Sequence, residues 1–229
     1  MIYVMHHVAR NCDPYFAALR LQRPDIKIFT STDESYKTKG CNLFFGVEQN
    51  YLDILAAPDT DNWKIIMAND LSVEPGQFDT IDHILQFAPL APVTFYNPTN
   101  TPYLTAWKQG HHILKTRGNW WTQCHAFPTK LIPAFLTFAE KHLIRGRLAD
   151  DGMVIRFMSA LGIWGYAVIP SLVQHLGFDK SILGLLPSYG KFKRMAASYT
   201  PGFDYKAVNW NHHFANPFID WSVWLTHMK

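Results

Sequence analysis

Two stretches of the chain are built alike. Trp63–Ala68 is an apolar run that ends in Asn69–Asp70, and Tyr166–Ile169 is an apolar run that turns at Pro170 and delivers His175 just before Gly177. A carboxylate and an imidazole, each at the end of a strand-like run, are ligand types that can share one divalent cation. A third feature, Asp150–Asp151, stands before Met153, Val154, Phe157, Met158 and Leu161 at helical spacing. It reads as the capped start of a helix, where the dipole favours negative charge. Each has an ordinary reading too: a turn aspartate, a hydrogen-bonded structural histidine, an N-cap.

Other chemistry loses support. The pairs His6–His7, His111–His112 and His212–His213 suggest a metallohydrolase, but neighbours on a strand point to opposite faces and do not chelate one ion. No HExxH and no H-x-E with a following CxxC occurs, and neither GxxxxGK[ST] nor GxGxxG is present. Zinc-hydrolase, P-loop and dinucleotide-fold assignments therefore have no motif.

The elements that must position these residues follow from periodicity. Ile2–His7 reads as a buried strand, and Asp13–Pro14 offers an N-cap with proline at the first helical position. Ile26–Phe29 alternates as a second strand; Leu43–Val47 is another apolar run, followed by a helix around Gln49–Ala57. After the Trp63–Ala68 strand, Phe78, Ile81, Ile84 and Leu85 repeat as a helix, and Val93–Tyr96 is a strand. Asn97–Gly118 reads as an active-site rim containing a short strand at Ile113–Thr116. Pro128–His142 is an amphipathic helix. Strands alternating with helices predict an α/β three-layer sandwich whose central sheet is mostly parallel, with ligands at the carboxyl ends of its strands. Asp70 stands at such an end.

Composition bounds the rest. The chain has 229 residues, 48% of them hydrophobic, enough for one domain or one with a small appendage. A net charge of +3 is compatible with a phosphate-bearing partner without demanding one. No window approaches the roughly 18–20 apolar residues that span a bilayer. Cys12, Cys41 and Cys124 are odd in number and lack CxxC spacing, so free thiols in a reducing compartment are expected. With a strand at the N-terminus and no signal peptide, the expected location is a cytoplasm, the protein's own or a host's.

Taken in order, Ile65–Pro75, Phe95–Pro98, Gly118–Trp121 to Ala126–Pro128, Ala149–Asp151 and Pro170–Gly177 resemble the GT-A-type nucleotide-sugar-dependent glycosyltransferases. The resemblance is to the small soluble kind that includes virus-encoded enzymes, and it covers about Trp63–Ser181. It implies a GT-A-like glycosyltransferase domain over residues 1–184, with 185–229 a C-terminal extension packed on it and available as an acceptor-binding tail. It implies a hexosyl- or pentosyltransferase in which Asp70 and His175 hold Mn²⁺ or Mg²⁺ against the donor diphosphate. The family's acidic pair or triplet is reduced here to Ala68–Asn69–Asp70, so Asn69 is expected on the donor, with His7, Arg10 and Lys180. Asp151, then Asp150, is the expected general base if transfer inverts the anomeric centre; if transfer retains it, the same carboxylate orients hydroxyls. Gly118, Asn119, Trp120 and Trp121 match the family's acceptor loop, with the two indoles either stacking on ligand or serving as core. The acceptor is a hydroxymethylpyrimidine in DNA, gripped by the basic, aromatic tail Tyr189–Trp210, or a glycan, lipid-linked sugar or protein hydroxyl. A non-catalytic nucleotide-sugar- or nucleic-acid-binding protein with an eroded metal motif is the reading from another class.

Overall fold

Alternation along the central strands decides which helix covers which face. The structure, a computed structural model, describes residues 1–7, 12–32, 45–72, 74–97, 101–118, 120–143, 146–175, 196 and 198–221, without the side chains of His7, Phe45 and His175. In chain order the elements are β1 (Ile2–His7), α1 (Asp13–Gln22), β2 (Lys27–Ser31), α2 (Phe45–Ala56), β3 (Trp63–Ala68), β4 (Leu71–Ser72), α3 (Gln77–Leu85) and β5 (Val93–Thr94). They continue with α4 (Thr101–Lys108), β6 (Ile113–Thr116), β7 (Cys124–Pro128), α5 (Ile132–His142), α6 (Asp150–Leu161), β8 (Gly165–Val168), β9 (Gln174–His175), α7 (Trp210–Ala215) and β10 (Phe218–Ile219).

On one face of the sheet, Ile2 and Val4 of β1 and Ile65 and Met67 of β3 pack with Phe16 and Leu19 of α1 and Phe78, Ile81 and Ile84 of α3. The intervening residues Tyr3 and Ile66 point the other way, onto Tyr51, Ile54 and Leu55 of α2, Phe135 of α5 and Phe157 of α6. The result is a three-layer α/β sandwich.

Among the described residues the main sheet has eight strands in the order β10-β6-β8-β5-β7-β3-β1-β2. Four of its seven pairings are parallel: β1 with β2 and β3, β5 with β8, and β6 with β10. The other three are antiparallel, two of them made by β7 on its neighbours β3 and β5 and the third by β6 with β8. The sheet is therefore mixed. A separate two-stranded sheet joins β4 to β9.

Several boundaries shift. Cys12 takes the N-cap position of α1, and Asp13 is already in its first turn. The second half of the apolar run at Leu43–Val47 is the start of α2, because Tyr51, Ile54 and Leu55 continue a helical stripe into the core. The Asn97–Gly118 rim contains α4, which buries Tyr103 and Ala106 against Leu114 and Ala167. The described part of the 185–229 extension belongs to the same sandwich, for β10 extends the main sheet and Trp210 lies in the first core cluster.

Candidate functional site

The pairings fix strand directions. β1, β2, β3, β5 and β8 run one way and β6, β7 and β10 the other. The carboxyl ends of five strands and the amino end of β7 thus share one edge, the place where an α/β sheet gathers ligands.

Asp70 and His175 meet there at the level of the backbone. β3 ends at Ala68, Asn69–Asp70 form a turn, and β4 follows at once. β9 pairs with β4 so that Leu71 faces His175 and Ser72 faces Gln174. Polar groups at the ends of β5 and β8 route the chain to that pairing. The Asn97 amide donates to the Val168 carbonyl, and the Asn97 N–H donates to Ser171 Oγ at 2.8 Å. The Leu172 N–H donates to the Phe95 carbonyl at 2.9 Å, and Gln77 Nε2 of α3 donates to the Leu172 carbonyl. The Phe95–Asn97 and Ser171–His175 stretches are therefore two halves of one junction, with a cis Ile169–Pro170 bond at its start.

Asn69 works inside this edge. It is 7% exposed, and its Nδ2 donates to His6 Nδ1 at 2.8 Å and approaches Cys12 Sγ at 3.4 Å. It thereby ties the end of β3 to the end of β1 and the start of α1. His7 ends β1 on the same edge. Arg10, Lys180 and Asn119 lie outside the described residues. The charge of Asp70 is felt by Tyr15, whose hydroxyl pKa is raised by burial first and then by Cys124 and Asp70. Cys12 and Cys124 are buried and form no disulfide with each other, and Cys41 lies outside the described residues.

Asp150 belongs to the same edge. The Ala68 N–H donates to the Gln123 carbonyl at 2.8 Å, which sets Thr122 beside the Asn69–Asp70 turn. Asp150, in the first turn of α6, takes a hydrogen bond from the Thr122 side chain and from backbone N–H groups at the helix start. Burial, and then the charge of Asp151, push its carboxyl up to about 7 against these hydrogen bonds. Asp151 is half-buried, and its Oδ1 accepts the Gly152 N–H at 2.7 Å. The two aspartates face different conditions, and burial brings the ionisation of Asp150 near neutral pH.

Behind Asp150 stands a residue that motif reading missed. His125 of β7 is completely buried, and burial lowers its pKa to about 4, so the ring is neutral. Its Nδ1 lies 2.7 Å from the Thr122 carbonyl and its Nε2 lies 3.0 Å from the Tyr51 hydroxyl. A carbonyl can only accept, so Nδ1 carries the proton and Nε2 accepts from Tyr51. The available signal was a lone imidazole in the otherwise apolar run Cys124–Phe127.

The acceptor loop divides. Trp120 is 1% exposed and packs edge-on against His125 with ring centroids 5.1 Å apart, leaving no face for a ligand. Its indole also lies against Gly165 of β8, where an added Cβ would sit 2.8 Å from Trp120 Cδ1. Trp121 is half-buried, and Gly118 is buried with its N–H on Thr116 Oγ1 at 3.2 Å. Among the described rings of the tail, Trp210 is buried while Tyr199, Phe203 and Tyr205 are half-buried. Trp210 is 1% exposed, the Tyr205 hydroxyl donates to the Ser171 carbonyl, and the Tyr199 hydroxyl donates to Glu74.

Among the described residues, no three His, Cys, Asp or Glu side chains come together as a metal site. The donor chemistry at this edge is the Asp70 carboxylate and the strand position of His175. A hard divalent cation would fit there only with ligand phosphate oxygens completing its shell. No helix of the described residues is long and apolar enough to cross a membrane.

No family model matches the chain, and no curated protein matches it. Among solved structures, mouse xyloside xylosyltransferase 1 in its apo form is similar over 71% of this chain and 70% of its own, at 15% identity and a TM-score of 0.33.

Proposed function

We propose that this protein transfers a sugar from a nucleotide-diphosphate sugar to an acceptor hydroxyl at the carboxyl edge of its sheet. What supports this reading is the convergence on one edge of three sequence motifs: the Asn69–Asp70 turn, the His175 strand and the Asp150–Asp151 helix start. Asp70 and His175 would hold Mn²⁺ or Mg²⁺, which when bound would supply Lewis-acid charge for the leaving diphosphate. Asp150 is the general base, ahead of Asp151, because an acid–base group works best with a pKa close to the working pH. It takes the acceptor hydroxyl's proton as the acceptor oxygen bonds to the anomeric carbon, and the bond from that carbon to the diphosphate oxygen breaks. DNA as the acceptor draws no support from the described part of the tail, where Trp210 is buried and the Tyr205 and Tyr199 hydroxyls are engaged by the Ser171 carbonyl and Glu74. A glycan, lipid-linked sugar or protein hydroxyl is the alternative acceptor.

The test is donor turnover on a panel of UDP- and GDP-sugars with Mn²⁺, in wild type, Asp70→Ala, His175→Ala and Asp150→Asn. The expected result is measurable turnover that Asp150→Asn lowers by about 10²–10⁴-fold and that the Asp70 and His175 variants lower together with the dependence on Mn²⁺. Equal turnover in all four proteins overturns the assignment. Nucleotide-sugar binding without any turnover identifies a non-catalytic binding protein instead.

A further inference from the structure

Four groups from three parts of the chain form one buried polar line: Tyr51 on α2, His125 on β7, Thr122 just before β7, and Asp150 at the start of α6. The Tyr51 hydroxyl holds His125 Nε2 at 3.0 Å, and His125 Nδ1–H holds the Thr122 carbonyl at 2.7 Å. Trp120 closes on the imidazole edge-on at 5.1 Å, so the ring has no room to turn. The Thr122 side chain, 1% exposed, then meets the Asp150 carboxyl. We propose that His125 is a positioning residue: by fixing the Thr122 backbone from a ring that Tyr51 locks, it aims the Thr122 hydroxyl at Asp150 and sets how readily that carboxyl gives up its proton.

The chemistry of each link is directional. A neutral imidazole offers one donor and one acceptor, and both are committed here. A buried neutral histidine adds no charge beside Asp150, so its effect travels through Thr122 alone. The Thr122 hydroxyl stabilises the carboxylate form, opposing burial and Asp151, which favour the neutral acid. Loosening Thr122 therefore raises the Asp150 pKa further and takes the group away from neutral pH. The titratable groups facing Asp150 are Asp151 on its own helix and Tyr51 on α2. Among the described residues, the titratable group facing His125 is Tyr51.

The inference rests on the reading of Asp150 as the general base, and its test separates the two. The carboxyl of Asp150 is followed by ¹³C NMR of aspartate-labelled protein across pH, assigned by the signal lost in Asp150→Asn. His125→Phe removes both hydrogen bonds; Thr122→Val removes the hydroxyl; His125→Asn keeps a donor near the Nδ1 position. The expected result is an Asp150 midpoint raised by about one pH unit in His125→Phe and in Thr122→Val, the size of one weakened hydrogen bond to a charge. His125→Asn restores most of the wild-type midpoint. A folded His125→Phe with an unmoved midpoint overturns the proposal, as does failure of His125→Asn to differ from His125→Phe. Where His125→Phe does not fold, Tyr51→Phe replaces it: a smaller upward move supports the proposal and no move overturns it. Should the midpoint move while the pH profile of donor turnover stays put, the His125 assignment stands and the general-base reading of Asp150 fails.

Discussion

A carboxyl that titrates at about 7 in the folded protein and at 3.8 when unfolded binds more protons folded than unfolded throughout that window. Its contribution to stability is complete below pH 3.8 and is lost as pH rises through 7. His125 acts in the opposite sense: its ordinary value of 6.5 falls to about 4 on folding, so it withdraws stability as pH drops from 6.5 to 4. Between pH 4 and 6.5 the two slopes oppose each other, and from 6.5 to 7 only that of Asp150 remains. Asp150→Asn removes it while leaving an amide oxygen for Thr122. The variant is expected to melt above wild type at pH 8 by at least about 2–4 °C, the equivalent of about 1 kcal/mol in a chain of this size. The gap narrows as pH falls towards 4. Thermal melts from pH 4.5 to 8 read this directly, and an Asp150→Asn protein that melts no higher at pH 8 shows that the buried carboxyl is not held against ionisation.

The clearest contact between elements lies away from the site. Lys64 of β3 is 1% exposed, and its ammonium donates to the carbonyls of Ile54 at 2.7 Å, Leu55 at 2.9 Å and Ala57. These carbonyls belong to the last turn of α2 and the residue after it, where the helix dipole is negative, so one strand residue closes the neighbouring helix. Its side chain also passes 5.0 Å from the centre of the Tyr3 ring. Lys64→Met keeps the stem and strips the donor; the expected loss is about 2–3 kcal/mol, the cost of orphaned carbonyls and a lost charged hydrogen bond. Urea unfolding measures it, and a loss within 0.5 kcal/mol, the ordinary scale of a surface change, would mean that water caps α2 instead. This contact shows what periodicity can and cannot disclose. α3 is legible because its apolar residues repeat at the helical period, and β1 and β3 because they are apolar runs bounded by polar residues. β7 is not, since its short apolar run is interrupted by His125 and ends in a proline. α4 begins Thr101–Pro102 directly after the Pro-, Asn- and Thr-rich stretch from Asn97, so it resembles a loop until β6 and β8 supply its surface.

At the scale of the molecule, the candidate site was legible as strand-end and helix-start motifs, but its supports were not. Tyr51 and His125 are 74 residues apart, and no local pattern announces that they touch. The same limit applies to residues 185–229, expected from the resemblance as a C-terminal extension packed on the domain. The described part of that stretch is built into the fold. Trp210 fills the core and donates its Nε1–H to the Tyr205 carbonyl at 2.9 Å. Ser198 Oγ accepts the Ser171 N–H at 3.2 Å, and the Ala196 N–H donates to Gln174 Oε1 at 2.6 Å, so the tail braces the turn that leads to His175. β10 completes the sheet on β6, where the Asp220 N–H donates to the Lys115 carbonyl at 2.9 Å. Removing a buried tryptophan alone costs about 3–5 kcal/mol, against a total stability of about 5–15 kcal/mol for a typical domain. A chain ending at Gly184 loses that ring, the edge strand and the partners of Ser171 and Gln174 together. It is expected to show no cooperative melt and little near-ultraviolet dichroism, while full-length Trp210→Ala still folds with a loss of about 3–5 kcal/mol. A sharp melt from the 1–184 chain would instead make the tail a separable appendage and leave the His175 turn to stand without it.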